Sequence, residues 1–332
     1  MSNSSEEILR VEHLQKYFPV EKNFLEKMFA RRRHFMRAVD NVSFKVKRGE
    51  IFTLAGESGC GKTTAGKLIL KLTPPTAGKI FFDNSDITDL KGEELRLLRR
   101  KMQMIFQDPY ASFNPRMKIG NAVGHPLEIH GIAKGKEKQE KVLQILDRVG
   151  LSPAKKFAEL FPHQMSGGQR QRAAMARSLI LQPEFIVADE PVSMIDVSLR
   201  TAIIDLMLDL RNDFGLTYLF ITHDLAIAKY ISDRIAIMYL GRIVEIGDKK
   251  EIFNNPLHPY TKALLAAIPV PNPERKRRET ELIGEVPSAI NIPSGCRFHS
   301  RCRYCEKDCS QQEPDLVEVS PTHSVACSIA KS

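Results

Sequence analysis

The sequence contains no apolar run long enough to cross a membrane. A membrane-spanning helix needs about 20 consecutive apolar residues, and the most apolar run, Ala263 to Ile268, stops at Pro269. The first residues, Met1 to Glu7, are polar and acidic, without the basic and then apolar segments of a secretory signal. We therefore expect the chain to be cytosolic. Any role at a membrane would depend on partner proteins.

Cysteine is almost absent from most of the chain. Of the six cysteines, Cys60 stands alone in the long N-terminal part, and the other five lie within residues 296–327. Because the cytosol is reducing, a cluster of this kind favours metal ligation over disulfide bonds. The sequence also lacks an internal repeat.

Length, composition and net charge limit the kinds of protein to which this chain can belong. A chain of 332 residues is enough for one large domain with a small appendage or for two ordinary domains. Its contents of 42% hydrophobic and 27% charged residues are ordinary for a globular protein. The net charge of +9 would fit a nucleic-acid-binding protein. The simplest explanation of this charge is a phosphate-binding protein that works near anionic lipid headgroups.

A glycine-rich segment follows the buried strand predicted at residues 51–55. It matches the phosphate-binding pattern G-x-x-x-x-G-K-[ST], because glycines let backbone N–H groups converge on phosphates ahead of a helix N-terminus. We expect Lys62 to reach the β- and γ-phosphates, Thr63 to bind Mg²⁺ and Thr64 to contact the α-phosphate. The candidate nucleotide-binding residues of this segment are Gly56, Glu57, Ser58, Gly59, Cys60, Gly61, Lys62, Thr63 and Thr64.

Three further motifs follow in order along the chain. Ser166-Gly167-Gly168-Gln169 opens a predicted helix with the spacing of a capping box. The pair Asp189-Glu190 ends an apolar run, where Asp189 is expected to organise Mg²⁺ and Glu190 to accept a proton from the attacking water. A single histidine, His223, ends the strand predicted at residues 217–222.

This order of motifs resembles the ATP-binding cassette (ABC) family, the motors of ABC transporters. The resemblance implies that Gln107 is the Q-loop residue that links Mg²⁺ to a membrane partner, and that His223 contacts the γ-phosphate. It also implies that residues 166–169 face the γ-phosphate of a nucleotide held by another subunit. For the adenine platform the resemblance favours Phe18, with Tyr17 as the alternative.

The expected fold is α/β. Alternating strands and helices predict a largely parallel sheet, and the resemblance implies a P-loop NTPase with a RecA-like core, an antiparallel β-subdomain and a helical subdomain. We predict this ABC nucleotide-binding domain over residues 1–250, with the helical subdomain at about 108–182, and a cysteine-rich C-terminal region over 251–332. Prolines after residue 248 and the charged run Glu274–Glu281 predict a linker between the two.

The individual elements follow from periodicity and breaking residues. Strands are predicted at residues 8–18, 43–46, 51–55, 78–82, 185–188 and 217–222. Helices are predicted at residues 62–72, 91–101, 136–149, 166–181 and 199–214.

Residues 107–116, residues 252–265 and the basic insert between Phe18 and Ala38 resemble the oligopeptide/dipeptide permease ATPases. The insert is similar to that of the second (F-type) ATPase of those operons. The resemblance implies an ATP-hydrolysing subunit that drives import of dipeptides or oligopeptides at the cytoplasmic face of the membrane. Its implied partners are a second ATPase subunit, a paralogue, together with two transmembrane permease subunits and an extracytoplasmic substrate-binding protein.

Other functions stay open at this point. The same type of motor imports oligosaccharides, nickel or glutathione. A soluble ABC ATPase acting on nucleic acid is disfavoured, because the chain has one cassette and no long coiled-coil insertion. A catalytically dead cassette is disfavoured because Lys62, Asp189, Glu190 and His223 are all present.

The late cysteines predict a metal centre. Four thiolates suit zinc or an iron–sulfur cluster, and the spacing lacks the paired C-x2-C knuckles of most zinc ribbons. It resembles the C-terminal [4Fe–4S] motif of some dipeptide permease ATPases, which implies such a cluster; zinc and metal-free thiols are the alternatives, and Cys305 could exchange as a ligand. The expected ligands are Cys296, Cys302, Cys309 and Cys327.

Overall fold

The computed structural model describes residues 6–20, 35–268, 284–285 and 287–328. The basic insert at residues 21–34 and the charged run Glu274–Glu281 lie outside these residues. Contacts divide the chain into two compact units. The first unit contains residues 47–50 and 89–221, and the second contains the described residues of 6–46, 51–88 and 222–328.

Over the described residues, the chain forms β-strands and α-helices. Up to residue 105 they are β1 (Glu7–Pro19), β2 (Phe35–Lys47), β3 (Ile51–Ala55), α1 (Lys62–Ile69), β4 (Ala77–Phe82), β5 (Ser85–Asp86), α2 (Gly92–Lys101) and β6 (Met102–Ile105). A helical stretch follows with α3 (Ile119–Ile129), α4 (Gly135–Arg148), α5 (Ala154–Glu159) and α6 (Gly167–Leu179). The remainder consists of β7 (Phe185–Asp189), α7 (Val197–Phe214), β8 (Thr217–Thr222), α8 (Leu225–Ile231), β9 (Arg234–Tyr239), β10 (Arg242–Asp248), α9 (Lys249–Asn254), α10 (Pro259–Ala266), β11 (Val317–Ser320) and β12 (His323–Val325).

The first unit combines parallel strands with a group of packed helices. Strand β7 pairs in parallel with β6 on one side and with β8 on the other. All five residues of β7 are buried, as expected for a strand covered on both faces. Helix α4 buries Val142, Ile145 and Leu146 on one stripe, the i, i+3, i+4 pattern that predicted this helix. Helices α3 to α6 pack against one another around such stripes.

The second unit contains two kinds of sheet. One is antiparallel, with the strand order β2-β1-β4-β5. In the other, β3 pairs in parallel with β9, which is followed by antiparallel β10, β12 and β11. These strands and those of the first unit fit the α/β class expected from the sequence.

The linker predicted after residue 248 is wrong for residues 249–266, which form α9 and α10. Pro259 occupies the first turn of α10, a position where proline removes no helical hydrogen bond. The ring nitrogen Nδ1 of His258 accepts the Tyr260 N–H at 3.0 Å and so caps this helix. Further on, β12 pairs with β10, with Val325 opposite Glu245. The end of the described chain is therefore packed into the second unit.

Over the described residues, none of the helices combines the length and the apolar character that spanning a membrane requires.

Candidate functional site

The glycine-rich loop between β3 and α1 adopts a backbone conformation that other residues disfavour. Gly56 and Gly61 have φ angles of 147° and 107°. A Cβ atom on Gly56 would lie 2.2 Å from the carbonyl oxygen of Met238, and one on Gly61 would lie 2.0 Å from that of Ala38. Both positions therefore require glycine for conformation and for space. The loop is shaped as the phosphate-binding pattern predicts.

Lys62 is buried within this loop. Its ammonium donates hydrogen bonds to the carbonyl oxygens of Gly56 and Glu57, at 2.8 and 2.9 Å. The Sγ atom of Cys60 lies 3.6 Å away, and burial raises the pKa of this thiol. Cys60 is buried and packs as a small residue of the loop. The loop fits a polyphosphate, because it presents a lysine and the positive end of a helix together.

The two candidate aromatic residues lie at the end of β1 and are both half-buried. Tyr17 donates its hydroxyl to the Asp40 carboxylate at 2.5 Å. Burial and this hydrogen bond raise the pKa of Tyr17 to about 12. The ammonium of Lys16 lies over the Phe18 ring, 5.1 Å from the ring centroid. The two rings therefore differ, because the hydroxyl group anchors Tyr17 to β2.

The acidic pair lies at the end of β7 in the first unit. Asp189 is buried, and Glu190 has a φ of 44°, a left-handed conformation that costs about 1 kcal/mol in a residue other than glycine. The N–H of Glu190 donates to the carbonyl of Ile221 at 2.9 Å. Its carboxylate accepts a hydrogen bond from Nε2 of Gln107 at 3.0 Å. The structure thus brings together Gln107 and Glu190, which are 83 residues apart in the chain.

The predicted capping box at Ser166 is confirmed. The Ser166 hydroxyl accepts the N–H of Gln169 at 3.3 Å, and the Gln169 side chain accepts the N–H of Ser166 at 3.0 Å. Gly167 and Gly168 occupy the first turn of α6. A Cβ on Gly168 would lie 3.4 Å from Leu199, so this glycine allows close packing against α7.

His223 belongs to the second unit and follows β8 directly. Its side chain is exposed. The next residue, Asp224, caps α8 by accepting the N–H groups of Ala226 and Ile227 at 2.8 and 3.3 Å. The histidine is therefore held between a strand end and a capped helix.

The expectation of an iron–sulfur cluster is wrong. Among the described residues, no group of three or more His, Cys, Asp or Glu side chains is arranged to hold a metal ion. Burial raises the pKa of Cys296 to about 11. Cys296 and Cys302 pack instead against an apolar cluster that includes Phe298. The other expected ligands, Cys309 and Cys327, are buried, and the alternative ligand Cys305 is exposed.

Sequence reasoning missed two residues that contact the glycine-rich loop. The Tyr260 hydroxyl accepts the N–H of Glu57 at 2.9 Å. The Arg301 guanidinium donates to the Glu57 carboxylate at 2.8 and 3.2 Å. Both contacts join residues more than 200 positions apart, so no local pattern could have predicted them.

Comparisons with known proteins agree with this geometry. A family profile described as ABC transporter matches residues 39–193, and a profile described as oligopeptide/dipeptide transporter, C-terminal region, matches residues 244–309. The chain is 46% identical to the oligopeptide transport ATP-binding protein AppF of Bacillus subtilis, over 98% of both chains. It is 44% identical to the dipeptide transport ATP-binding protein DppF of Haemophilus influenzae, over 95% of this chain and 94% of that protein.

The fold is similar to solved ATP-binding cassettes. The dimeric post-hydrolysis state of the cassette MJ0796, bound to ADP and Pi, aligns with a TM-score of 0.63 at 29% identity, covering 73% of this chain and 98% of that one. The aligned part of the chain thus has the fold of an ABC ATPase, whose substrate and cofactor are ATP and Mg²⁺. The chain therefore belongs to the ABC transporter family, as an ATP-hydrolysing protein of its oligopeptide/dipeptide branch.

Proposed function

We propose that this chain is the ATP-hydrolysing subunit of an importer that takes up dipeptides or oligopeptides through a membrane permease. One observation carries the peptide assignment. The similarity to ATP-binding proteins named for oligopeptide and dipeptide transport extends over nearly the whole chain, including the C-terminal region matched at residues 244–309. The oligosaccharide, nickel and glutathione alternatives gain no comparable support.

One part of the proposed nucleotide site would contact the adenine base and the phosphates of ATP. Phe18 offers a ring for the adenine, since the Tyr17 hydroxyl is engaged by Asp40. The loop from Gly56 to Thr64 binds the phosphates through backbone N–H groups, and Lys62 transfers its hydrogen bonds from loop carbonyls to phosphate oxygens. The glycine conformations of the loop support this role.

Mg²⁺, when bound, neutralises charge on the phosphates. Thr63 and Gln107 are its proposed ligands, and Asp189 is proposed to organise the ion. Gln107 also links this site to the membrane partner. Carboxylate, hydroxyl and amide oxygens are the donors that Mg²⁺ prefers, which supports the assignment.

Glu190 is the proposed general base, which takes a proton from the attacking water. The hydrogen bond from Gln107 fixes the direction of its carboxylate. His223 is proposed to contact the γ-phosphate. Phosphoryl transfer depends mainly on positioning and charge stabilisation, so a carboxylate held in one orientation supports this role.

Residues 166–169 are proposed to complete the site of a second ATPase subunit, a paralogue of this chain. The exposed Ser166 and the glycines of the first turn offer an anion-binding helix terminus. Nearby, Met194 and Val197 expose 62% and 75% of their surface, which supports an interface there. The complete importer would add two permease subunits and a substrate-binding protein, with this chain at the cytoplasmic face of the membrane.

The domain boundary near residue 250, the helical subdomain at about 108–182 and the cysteine-rich C-terminal region at 251–332 stay predictions. The profile match beginning at residue 244 supports a boundary in this part of the chain.

Uptake by cells that lack this chain tests the proposal. Cells complemented with the wild type or with Lys62→Ala would be offered a labelled dipeptide, a labelled pentapeptide, a trisaccharide, nickel and glutathione. We expect the wild type alone to restore uptake of one or both peptides. Restoration of another cargo without peptide uptake would contradict the peptide assignment, and equal uptake with Lys62→Ala would contradict the role of ATP.

A further inference from the structure

We propose that Arg301, in the C-terminal region, is a positioning residue of the ATP site, which neutralises and holds Glu57 in the glycine-rich loop and thereby sets the affinity for ATP. The inference rests on the proposed role of that loop in binding phosphates. It gives the C-terminal region a part in nucleotide binding.

The contact between Arg301 and Glu57 is a partly buried, bidentate ion pair. Two guanidinium nitrogens donate to the two carboxylate oxygens at 2.8 and 3.2 Å. The Arg301 side chain is 5% exposed and that of Glu57 is 24% exposed. Paired hydrogen bonds of this geometry fix orientation as well as charge. The pair is therefore far better defined than an ion pair on the surface.

A second contact holds the backbone of Glu57. Its N–H donates to the hydroxyl of Tyr260 at 2.9 Å, and Tyr260 is fully buried. The Tyr260 ring packs against those of Tyr239 and Phe298, with centroids 4.7 and 5.4 Å away. The N–H of Glu57 is therefore engaged within the protein itself.

Glu57 is in turn connected to the lysine of the loop. Its carbonyl oxygen accepts a hydrogen bond from the Lys62 ammonium at 2.9 Å. A displaced Glu57 would move this carbonyl, and an unpaired Glu57 carboxylate would place a negative charge in the loop that binds phosphates. Both effects weaken ATP binding, and like charges repel more strongly in a partly buried site than in water.

The same C-terminal segment also contacts the base end of the proposed site. The Arg297 guanidinium pairs with the Asp40 carboxylate, which accepts the Tyr17 hydroxyl at 2.5 Å. Burial alone would raise the pKa of Asp40, but the hydrogen bonds from Tyr17 and Arg297 outweigh it and lower the pKa. Arg297 and Arg301 thus hold residues next to both ends of the proposed nucleotide site.

Equilibrium binding of Mg-ATP to full-length variants tests the inference. We expect Arg301→Gln to weaken ATP binding on the order of tenfold, because one carboxylate near the phosphates loses its counter-charge. Glu57→Gln removes that carboxylate, so the double variant Glu57→Gln/Arg301→Gln is expected to bind ATP more tightly than Arg301→Gln alone. Turnover per assembled importer at saturating ATP is expected to be unchanged, because Arg301 does not touch the reacting atoms.

Two further variants, Lys307→Gln and Arg301→Lys, serve as matched controls. Lys307→Gln removes an exposed cation of the same segment and is expected to leave ATP binding unchanged. Arg301→Lys retains the charge and is expected to bind ATP more tightly than Arg301→Gln. If Arg301→Gln does not fold, the comparison of Arg301→Lys with the wild type and with the double variant carries the test.

Two results would overturn the inference while the wild type binds ATP. One is an Arg301→Gln variant with wild-type affinity, and the other is a double variant that binds as weakly as Arg301→Gln, which would make Arg301 merely structural. A wild type that does not bind ATP would contradict the proposed function itself, and the inference with it.

Discussion

At the scale of single residues, Glu190 carries the proposed chemistry. We expect Glu190→Gln to retain ATP binding but to lower hydrolysis by at least about 10²-fold, the lower range for a lost general base. The amide is nearly isosteric and can still contact Gln107, so the loss would reflect proton transfer. ATPase assays on the assembled importer measure this, and near-normal turnover would exclude Glu190 as the base.

His223 provides a second test at this scale. We expect His223→Ala to keep the affinity for Mg-ATP within a few-fold and to lower hydrolysis sharply, because its proposed contact is with the γ-phosphate. Binding of ADP serves as the control, since ADP lacks that phosphate. A large loss of ADP affinity would show that His223 instead maintains the local structure between β8 and α8.

At the scale of elements, the glycine-rich loop is defined by close backbone contacts. Gly61→Ala would place a methyl group 2.0 Å from a backbone oxygen, whereas a Cβ on Gly59 would meet no atom within 4 Å. Both glycines have positive φ angles, so alanine at Gly59 measures the conformational cost alone, about 1–2 kcal/mol.

We expect Gly61→Ala to lower the free energy of unfolding by at least about 1 kcal/mol more than Gly59→Ala, because overpacking forces the backbone to shift. Urea denaturation of the two variants gives this difference. Equal losses in the two variants would show that the loop relaxes without strain.

The cap of α10 gives the protein a dependence on pH. Burial lowers the pKa of His258 to about 4, compared with about 6.5 in an unfolded chain. Between these two pKa values the unfolded state binds a proton that the folded state does not. The contribution of His258 to the free energy of unfolding is therefore complete above pH 6.5 and decreases as the pH falls. The loss is about 1.4 kcal/mol per pH unit and about 3 kcal/mol in all.

Urea denaturation at several pH values from 7.5 to 4.5 measures this slope. The variant His258→Asn retains an oxygen that can cap α10 and is expected to lose the extra slope. Glu245, whose hydrogen-bonded carboxylate has a lowered pKa despite its burial, loses its contribution only below about pH 4.3, the pKa of an unfolded glutamate. An unchanged slope in His258→Asn would assign the dependence to other groups.

Elements with a clean local pattern were predictable from the sequence, and those that depend on distant contacts were not. The helix predicted at 136–149 is observed as Gly135–Arg148, because its buried stripe is complete. Helix α3 was not predicted, since Pro126 lies inside it and proline normally ends a helix. Strand β2 extends over Phe35–Lys47 instead of 43–46, because pairing with a neighbour supports residues that lack alternation.

The candidate site likewise has features that follow from local sequence and features that depend on distant contacts. The loop conformation and the capping box at Ser166 depend on a few consecutive residues, and both follow from the sequence. The pairing of Arg301 with Glu57 joins residues 244 positions apart and depends on the packing of α10 and the C-terminal segment. For the cysteines, the local spacing predicted a metal centre that the described side chains do not form.

At the scale of the whole molecule, hydrolysis of ATP by this chain is proposed to drive the uptake of peptides. The parts of the molecule agree with this role, since the loop, the acidic pair and the C-terminal region occur in one chain that is similar along nearly its full length to peptide-transport ATP-binding proteins.

The most direct measurement follows peptide and ATP together in proteoliposomes that contain this chain, its paralogue, the permease pair and the substrate-binding protein. With Mg-ATP supplied on the side of the ATPase, we predict accumulation of a labelled peptide in step with phosphate release. Glu190→Gln in this chain is predicted to lower both rates together. Peptide accumulation that continues at the wild-type rate while this variant has lost its hydrolysis would contradict the account.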